Sequence, residues 1–388
     1  MDASVFAKIV SDKSICDLKK IKYKYSDVDM KELTELMKIS VFKTLPVQDF
    51  RGNDLVYMPG IIKLNTAAFK SLLISHGDYD FGLKAMEDEI SSSFSIESID
   101  FSRDSVRKIL KGYAPEDESE NRIYGMKKGL EFISDLNNEI SEDNIHSLYE
   151  LAIGQYLDED NKLLPGHYYR HDTVYVMGQK LEHTGLAHSK LPEYMSRLVE
   201  FINAESELDD LSKAAAIHFY MAYLHPWFDG NGRMARLMHL WYLRRRGWSA
   251  VMFIAFSSYV ERSRNAYYKA FTLCESNENI SGVLDVSPFL NYFSENVYNR
   301  LKVSSGSAAS SKLYTDALAE GKITEKEKNL WGFVLSAYGN AEFSTKQLEK
   351  DFNDAAYATI RSFVLKFKDL GLLSEASYGN RKKYSVKY

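Results

Sequence analysis

HPWFDGNGRMAR, residues 225–236, sets a histidine, a carboxylate, two glycines around an asparagine and two arginines side by side. Upstream, LSKAAAIHFYMAYL (Leu211 to Leu224) has the apolar density of a buried helix and no internal breaker. Pro226 disfavours helical geometry at the residue before it, so that helix should stop at His225 and leave the imidazole at its exit. Gly230 and Gly232 open backbone conformations closed to other residues, which lets the amides around Asn231 converge on one spot. A second apolar run, RMARLMHLWYLRRRG, is expected to be helical from Arg233, with Arg244, Arg245 and Arg246 in its last turn and Gly247 ending it. Amides in front of a helix N-terminus make an anion site. Arg233 and Arg236, three apart, share the face beside it. The bland alternative is two helices joined by a solvated loop. It accounts for a lone Gly-Asn-Gly, but not for a histidine, an aspartate and two arginines converging on one point.

The stretch resembles the signature of the Fic family, HPFx(D/E)GNGRxxR. It matches at His225, Pro226, Asp229, Gly230, Asn231, Gly232, Arg233 and Arg236, with Trp227 in place of Phe as a large aromatic anchoring the loop. The resemblance implies an all-helical fold that moves a nucleotide, usually AMP from ATP, onto a protein hydroxyl. It implies that His225 is the base and that Asp229 holds Mg²⁺. By the same resemblance Gly230, Asn231, Gly232, Arg233 and Arg236 bind the phosphates. The chemistry agrees, because phosphoryl-type transfer is mostly positioning and charge neutralisation.

With 388 residues, 45 % hydrophobic and 27 % charged, the chain has the composition of a globular protein with ample core. Its net charge of −5 gives no reason to expect general affinity for nucleic acid or membranes. Cys16 and Cys274 fit neither a metal spacing nor a disulfide framework. No window is apolar enough for a membrane span or a signal peptide, and a cytoplasmic location is expected.

Residues 1 to about 60 mix short apolar stretches with a basic patch, LKKIKYKY (Leu18 to Tyr25), read as a solvated strand or helix face rather than a nucleic-acid contact. Helical spacing runs from Asn65 through LKAMEDEISSSFSIESI. There Ser93 to Ser98 resembles the inhibitory (S/T)xxxE(G/N) helix of many Fic proteins, placed at about residues 85–98, with Ser98 where the family has Gly or Asn. That resemblance implies that Glu97 pairs with Arg236 and blocks placement of the terminal phosphate. A buried carboxylate competes with the ATP γ-phosphate for one guanidinium fork. Read without the resemblance, Glu97 is a solvated residue on a helix surface.

Residues 101–165 are charge-rich and helical in spacing. LDEDNKLL (Leu157 to Leu164) lacks the glycine and glutamate of a calcium loop and reads as an acidic turn. PGHYYRHDTVYVMGQKLEHTGLAH (Pro165 to His188) breaks the helical rhythm, with a short strand in HDTVYVMG and a hairpin turned at Gly178. Gly166 and Arg170 resemble the family's G-x-x-x-R pattern, and the resemblance implies a β-hairpin flap near 166–178 on which the target protein docks. His183 and His188 have poor ligand spacing and read as structural. His218 and His239 read as core histidines. In FSSYVERSRNAYYKAF (Phe256 to Phe271) core packing accounts for the aromatics, while the resemblance places Asn265 and Tyr268 against the adenine.

LKVSSGSAASSK (Leu301 to Lys312) reads as a loose connection. Beyond it, three helical segments precede SEASYGNRKKYSV, two short strands around Gly379-Asn380. Three helices and a hairpin resemble a winged helix-turn-helix domain. Tyr357 to Lys368 would then be the recognition-like helix, with Arg381, Lys382 and Lys383 on the wing.

The expectation is a mainly α protein: an N-terminal helical region (1–100), a Fic-type helical bundle with a small β-hairpin flap (101–300), a linker (301–323) and a winged helix (324–388). Its function would be adenylylation of a Tyr, Thr or Ser hydroxyl on a target protein or on itself, with ATP as substrate, Mg²⁺ as cofactor and Glu97 as a brake. Removal of AMP or another phosphate transfer at the same site is the alternative, as is a DNA-binding regulator acting through 357–383. A homodimer is left open.

Overall fold

The computed structural model describes residues 1–64, 83–177, 181–252, 254–301, 308–338, 342–353, 355–379 and 381–387. In chain order the helices are α1 (Ala3–Val10), α2 (Leu18–Lys24), α3 (Met30–Ser40), α4 (Leu83–Ile96), α5 (Arg103–Leu110), α6 (Glu118–Ser134), α7 (Glu142–Ala152), α8 (Leu191–Asn203), α9 (Asp210–Leu224) and α10 (Asn231–Arg245). They continue as α11 (Phe256–Arg262), α12 (Arg264–Ser281), α13 (Ser287–Tyr292), α14 (Ala308–Ala319), α15 (Glu325–Ala337), α16 (Thr345–Phe352) and α17 (Tyr357–Asp369). Among the described residues there are also three antiparallel hairpins: β1 (Lys43–Gln48) with β2 (Asp54–Tyr57), β3 (Tyr175–Met177) with β4 (Leu181–Thr184), and β5 (Leu373–Tyr378) with β6 (Arg381–Val386). The protein is mainly α. No described helix is long and apolar enough to cross a membrane.

The chain divides into two compact units. The first gathers Met1–Leu64, Glu139–Tyr242 and Arg262–Asn299. At its centre α9 is buried along nearly its whole length. Asp209 caps its start by accepting from the Ser212 N–H at 2.9 Å, which satisfies one of the donors a helix N-terminus leaves over. His218 and His239 are fully buried among Tyr267, Phe289, Phe293 and Tyr298, and their Nε2 atoms meet the Tyr267 and Tyr298 hydroxyls at 2.8 and 3.1 Å. Burial disfavours their charged forms, pushing His239 down to about 3 and His218 well below the ordinary histidine value. Both are neutral core groups.

The first 64 residues are part of this unit. The basic patch expected as a strand or helix face is helix α2, with Leu18 and Ile21 buried beneath it. The β1–β2 hairpin, which the sequence did not reveal, sits on α9 through two tyrosines. Tyr220 donates its hydroxyl to the Gln48 carbonyl at 2.7 Å, and the Phe50 N–H donates to the Tyr223 hydroxyl at 3.3 Å.

The second unit comprises Asn65–Asn138, Leu243–Glu261 and Arg300–Tyr388. Helix α4 packs on α5, α6 and α15. Its buried Glu89 accepts from the Ser257 N–H at 2.9 Å and from the Ser257 hydroxyl, so the carboxylate caps the first turn of α11. The stretch expected as a linker, 301–323, contains helix α14: alanine and serine are tolerated in helices, and Tyr314 and Ala317 supply a buried face. Beyond it the three helices α15, α16 and α17 and the terminal hairpin are present, with Gly379 at a φ of +62° in the turn. Asn380, Gly178 and the start of the expected helical run, 65–82, lie outside the described residues.

Candidate active site

Helix α9 ends where Pro226 requires it to, and His225 turns the chain in a left-handed conformation (φ 53°, ψ 60°). Its N–H still reaches the Met221 carbonyl at 3.3 Å, and its Nδ1 lies 3.3 Å from the Ala222 carbonyl. A carbonyl can only accept, so this contact assigns the proton to Nδ1 and the basic lone pair to Nε2.

The loop is held from three sides. Trp227 is buried, stacks on Tyr149 (centroids 4.4 Å apart, planes at 7°) and donates its Nε1–H to the Tyr168 carbonyl at 3.1 Å. This is the anchoring expected for the aromatic of the motif. Asn231 closes the loop on itself: its Oδ1 accepts from the Trp227 N–H at 3.0 Å and its Nδ2 donates to the Trp227 carbonyl at 2.8 Å. The Asn231 side chain is therefore committed to main chain, and what residue 231 offers an anion is its N–H, one of the amides the sequence pointed to. Gly230 takes a φ of +84°, and a Cβ there would lie 2.6 Å from Ile153 Cγ2. Gly232, by contrast, sits in the first turn of α10 and needs no such conformation.

Helix α10 starts at Asn231, two residues earlier than expected. The Met234 N–H donates to the Gly230 carbonyl at 2.9 Å, so the N–H groups of Asn231, Gly232 and Arg233 precede the helical ladder. With the positive end of the helix dipole they give this helix start the free donors and the polarity that an anion site requires. Arg233 Nη2 lies 3.2 Å from Asp229 Oδ2, and Asp229 Oδ1 accepts from the Gly230 N–H. The Asp229 side chain is 54 % exposed while Arg233 is buried, so the carboxylate faces outward over the loop. Arg236, one turn on, is also buried.

Arg170 carries more than the sequence suggested. It is buried and donates from Nε to the His225 carbonyl at 2.8 Å. Its Nη1 and Nη2 donate to the carbonyls of Asp172 and Leu186, at the two roots of the β3–β4 hairpin. Burial lowers its pKa, though an arginine stays charged. Main-chain acceptors leave no trace in sequence, which is why this clamp was not legible. Tyr149 and Ile153 support the loop in the same silent way.

Asn265 and Tyr268 lie on the exposed face of α12, opposite the buried Tyr267, Ala270 and Cys274, with the Arg264 guanidinium 5.8 Å from the Tyr268 ring centre. Ser93 and Glu97 are in the second unit. Ser93 is buried on α4, whereas Glu97 is exposed at its C-terminal end, which does not fit the buried carboxylate expected there. Ser98, where the family pattern has Gly or Asn, takes a φ of +58°. Its N–H donates to Ser95 and the Ile99 N–H donates to Phe94, at 3.2 and 3.0 Å, the pair of bonds that ends a helix in a left-handed residue.

Residues 139–243 match the Fic/DOC family. The matched segment holds the loop, Arg170 and both strands of the hairpin. The chain is 26 % identical over 221 residues to protein adenylyltransferase fic-1 of Caenorhabditis briggsae, covering 53 % of this chain and 39 % of the relative. It is 27 % identical over 183 residues to protein adenylyltransferase Fic of Drosophila willistoni, covering 46 % of this chain and 32 % of that protein. The chain thus spans only about a third of the length of these relatives. A crystal structure of a Fic family protein from Desulfovibrio desulfuricans overlaps 78 % of this chain and 86 % of its own, at 16 % identity and a TM-score of 0.47. That overlap is too loose to assign a role to any residue.

Proposed function

We propose that this protein is an adenylyltransferase that moves AMP from ATP to a Tyr, Thr or Ser hydroxyl of a target protein or of itself. The observation that carries the reading is the placement of His225. Its Nδ1 is committed to the Ala222 carbonyl, and a few residues on, the loop turns into a helix N-terminus with three N–H groups and two buried arginines. A base beside an anion site is what attack of a hydroxyl on a phosphate requires. In the step, the target oxygen bonds to the α-phosphorus as its proton passes to His225 Nε2. The bond from the α-phosphorus to the bridging oxygen breaks, and pyrophosphate leaves. The relatives named protein adenylyltransferase support the same chemistry.

The N–H groups of Asn231, Gly232 and Arg233 and the guanidinium groups of Arg233 and Arg236 are assigned to the phosphates. Asp229 fits Mg²⁺ carried by the nucleotide, because that ion takes one or two carboxylates and completes its shell with phosphate oxygens and water. Bound there, the ion would neutralise charge developing on the leaving pyrophosphate. Asn265 and Tyr268 are assigned to the adenine, and the β3–β4 hairpin to the target segment.

Glu97 is proposed as the brake, competing with the γ-phosphate for Arg236. The left-handed Ser98 supports the assignment of this helix end, since Gly and Asn are the residues that adopt that conformation most readily. Residues 324–388 are assigned to the winged-helix class. Lys382 and Lys383 already face Glu375 and Glu342, at 2.7 and 3.6 Å, which favours a protein-contact role over DNA binding.

Intact mass after incubation with ATP and Mg²⁺ tests the proposal on wild type, Glu97→Gly, and Glu97→Gly with His225→Ala. An AMP-sized gain confined to Glu97→Gly is expected. Equal gain in wild type would remove Glu97 as a brake, and gain without His225 would overturn the base.

A further inference from the structure

A helix leaves its last four carbonyls without partners inside the helix, and α9 ends at the residue before the proposed base. Four consecutive carbonyls there are all taken by the β3–β4 hairpin and its approach. Tyr223 accepts from His183 Nε2 at 2.8 Å and Leu224 from the Leu186 N–H at 3.2 Å. His225 accepts from Arg170 Nε at 2.8 Å and Pro226 from the Arg170 N–H at 3.0 Å. The hairpin is therefore the C-terminal cap of the helix that presents His225. Its seating and the backbone of the base are one structure.

Within this cap His183 has a second bond. Its Nδ1 lies 2.7 Å from Glu275 Oε1 on α12, and its ring packs against the stacked pair of Phe50 and Tyr223, with the His225 ring 6.3 Å away. Both ring nitrogens thus face oxygen acceptors. Glu275 stands two turns beyond Tyr268 on the same helix. The pair joins the strand assigned to the target with the helix assigned to the nucleotide base.

We infer that His183, held by Glu275, is a positioning residue for His225. It fixes the hairpin on the last carbonyls of α9 and thereby sets the backbone from which the base projects. The inference rests on the reading of His225 as the base of nucleotidyl transfer. A misplacement of about 1 Å at a reacting group costs on the order of a hundredfold in rate, so a loosened cap should lower transfer without touching nucleotide affinity.

The test compares His183→Leu, Glu275→Leu and Glu275→Gln, each in the Glu97→Gly background. The readouts are the self-modification rate at saturating ATP, ATP affinity by calorimetry, and hydrogen exchange of the hairpin amides. Leucine at 183 keeps the packing on Phe50 and Tyr223 but removes both hydrogen bonds. Expected for both leucine variants is a tenfold to hundredfold slower transfer, unchanged ATP affinity, and faster exchange at Arg170, Gly185 and Leu186. Glu275→Gln, which retains an acceptor oxygen for Nδ1, should stay near the parent. Unchanged transfer in His183→Leu, or a parallel loss of ATP affinity, would overturn the inference. If the Glu97→Gly parent itself transfers nothing, the nucleotidyl-transfer reading fails. Exchange then decides the cap by itself, and unaltered exchange in His183→Leu would overturn it.

Discussion

Replacing Gly230 by alanine perturbs the loop at one atom, and the structure gives the size of the effect. The residue has a φ of +84°, where an L side chain is strained by about 1–2 kcal/mol. The new Cβ would also lie 2.6 Å from Ile153 Cγ2 and 3.0 Å from Ile153 Cδ1, closer than real Cβ atoms approach. Overpacking of this kind costs a further ~1–3 kcal/mol. Gly230→Ala should therefore destabilise by roughly 2–5 kcal/mol, seen as a fall in Tm of about 2–4 °C per kcal/mol. The two terms separate in a double-mutant cycle with Ile153→Ala. That change removes Cγ2 and Cδ1 from a fully buried side chain, and by itself costs about 2–5 kcal/mol. In the double variant the steric term vanishes while the backbone strain stays, so the two substitutions should be less than additive by ~1–3 kcal/mol. Calorimetric melting of the four proteins is the assay. A Gly230→Ala protein as stable as wild type, or a strictly additive cycle, would refute the account of why glycine stands there.

Three further changes have expected outcomes. Ser98→Gly relieves a left-handed serine at the end of α4 and should stabilise by about 1 kcal/mol, read as a raised Tm; an unchanged or lower Tm would contradict the helix-end geometry. Asn231→Ala removes both bonds to Trp227 and strands buried main-chain groups, so it should cost on the order of 2–4 kcal/mol, checked by thermal melting together with weakened ATP binding in calorimetry. Asp285 is fully buried, and burial raises its carboxyl to about 6 despite bonds from the Ser287 N–H and hydroxyl. An acid whose folded pKa is raised favours folding while protonated, so stability falls as pH rises from about 4 through about 6. Asp285→Asn should flatten that slope and gain up to about 3 kcal/mol at neutral pH, measured by urea unfolding from pH 4 to 7.

The helix–loop–helix around residues 225–236 was legible because its signals are local. Pro226 stops α9, Trp227 demands burial, and the glycines mark a turn. The C-terminal helices and hairpin were legible for the same reason, through apolar periodicity and Gly379-Asn380. What escaped rests on long-range or main-chain partners. Nothing in the first 60 residues announces that β1–β2 docks on Tyr220 and Tyr223, and nothing announces that the Asn231 side chain ties the loop to the Trp227 main chain, because a main-chain partner has no sequence mark. The serine-rich run before Lys312 read as a loose connection, yet the buried Tyr314 and Ala317 draw α14 into the second unit. Glu97 was expected to be buried in a pair with Arg236, but it is exposed at the C-terminal end of α4, where the left-handed Ser98 ends the helix.

The loop at 225–236 is proposed to transfer the nucleotidyl group of ATP with His225 as base. Incubating Glu97→Gly protein with ATP labelled at either the α- or the γ-phosphorus, and counting label that stays with the denatured protein, tests it directly. Retention of α-label but not γ-label, lost when His225→Ala is added, is the predicted result. Retention of γ-label, or α-label undiminished without His225, would contradict it.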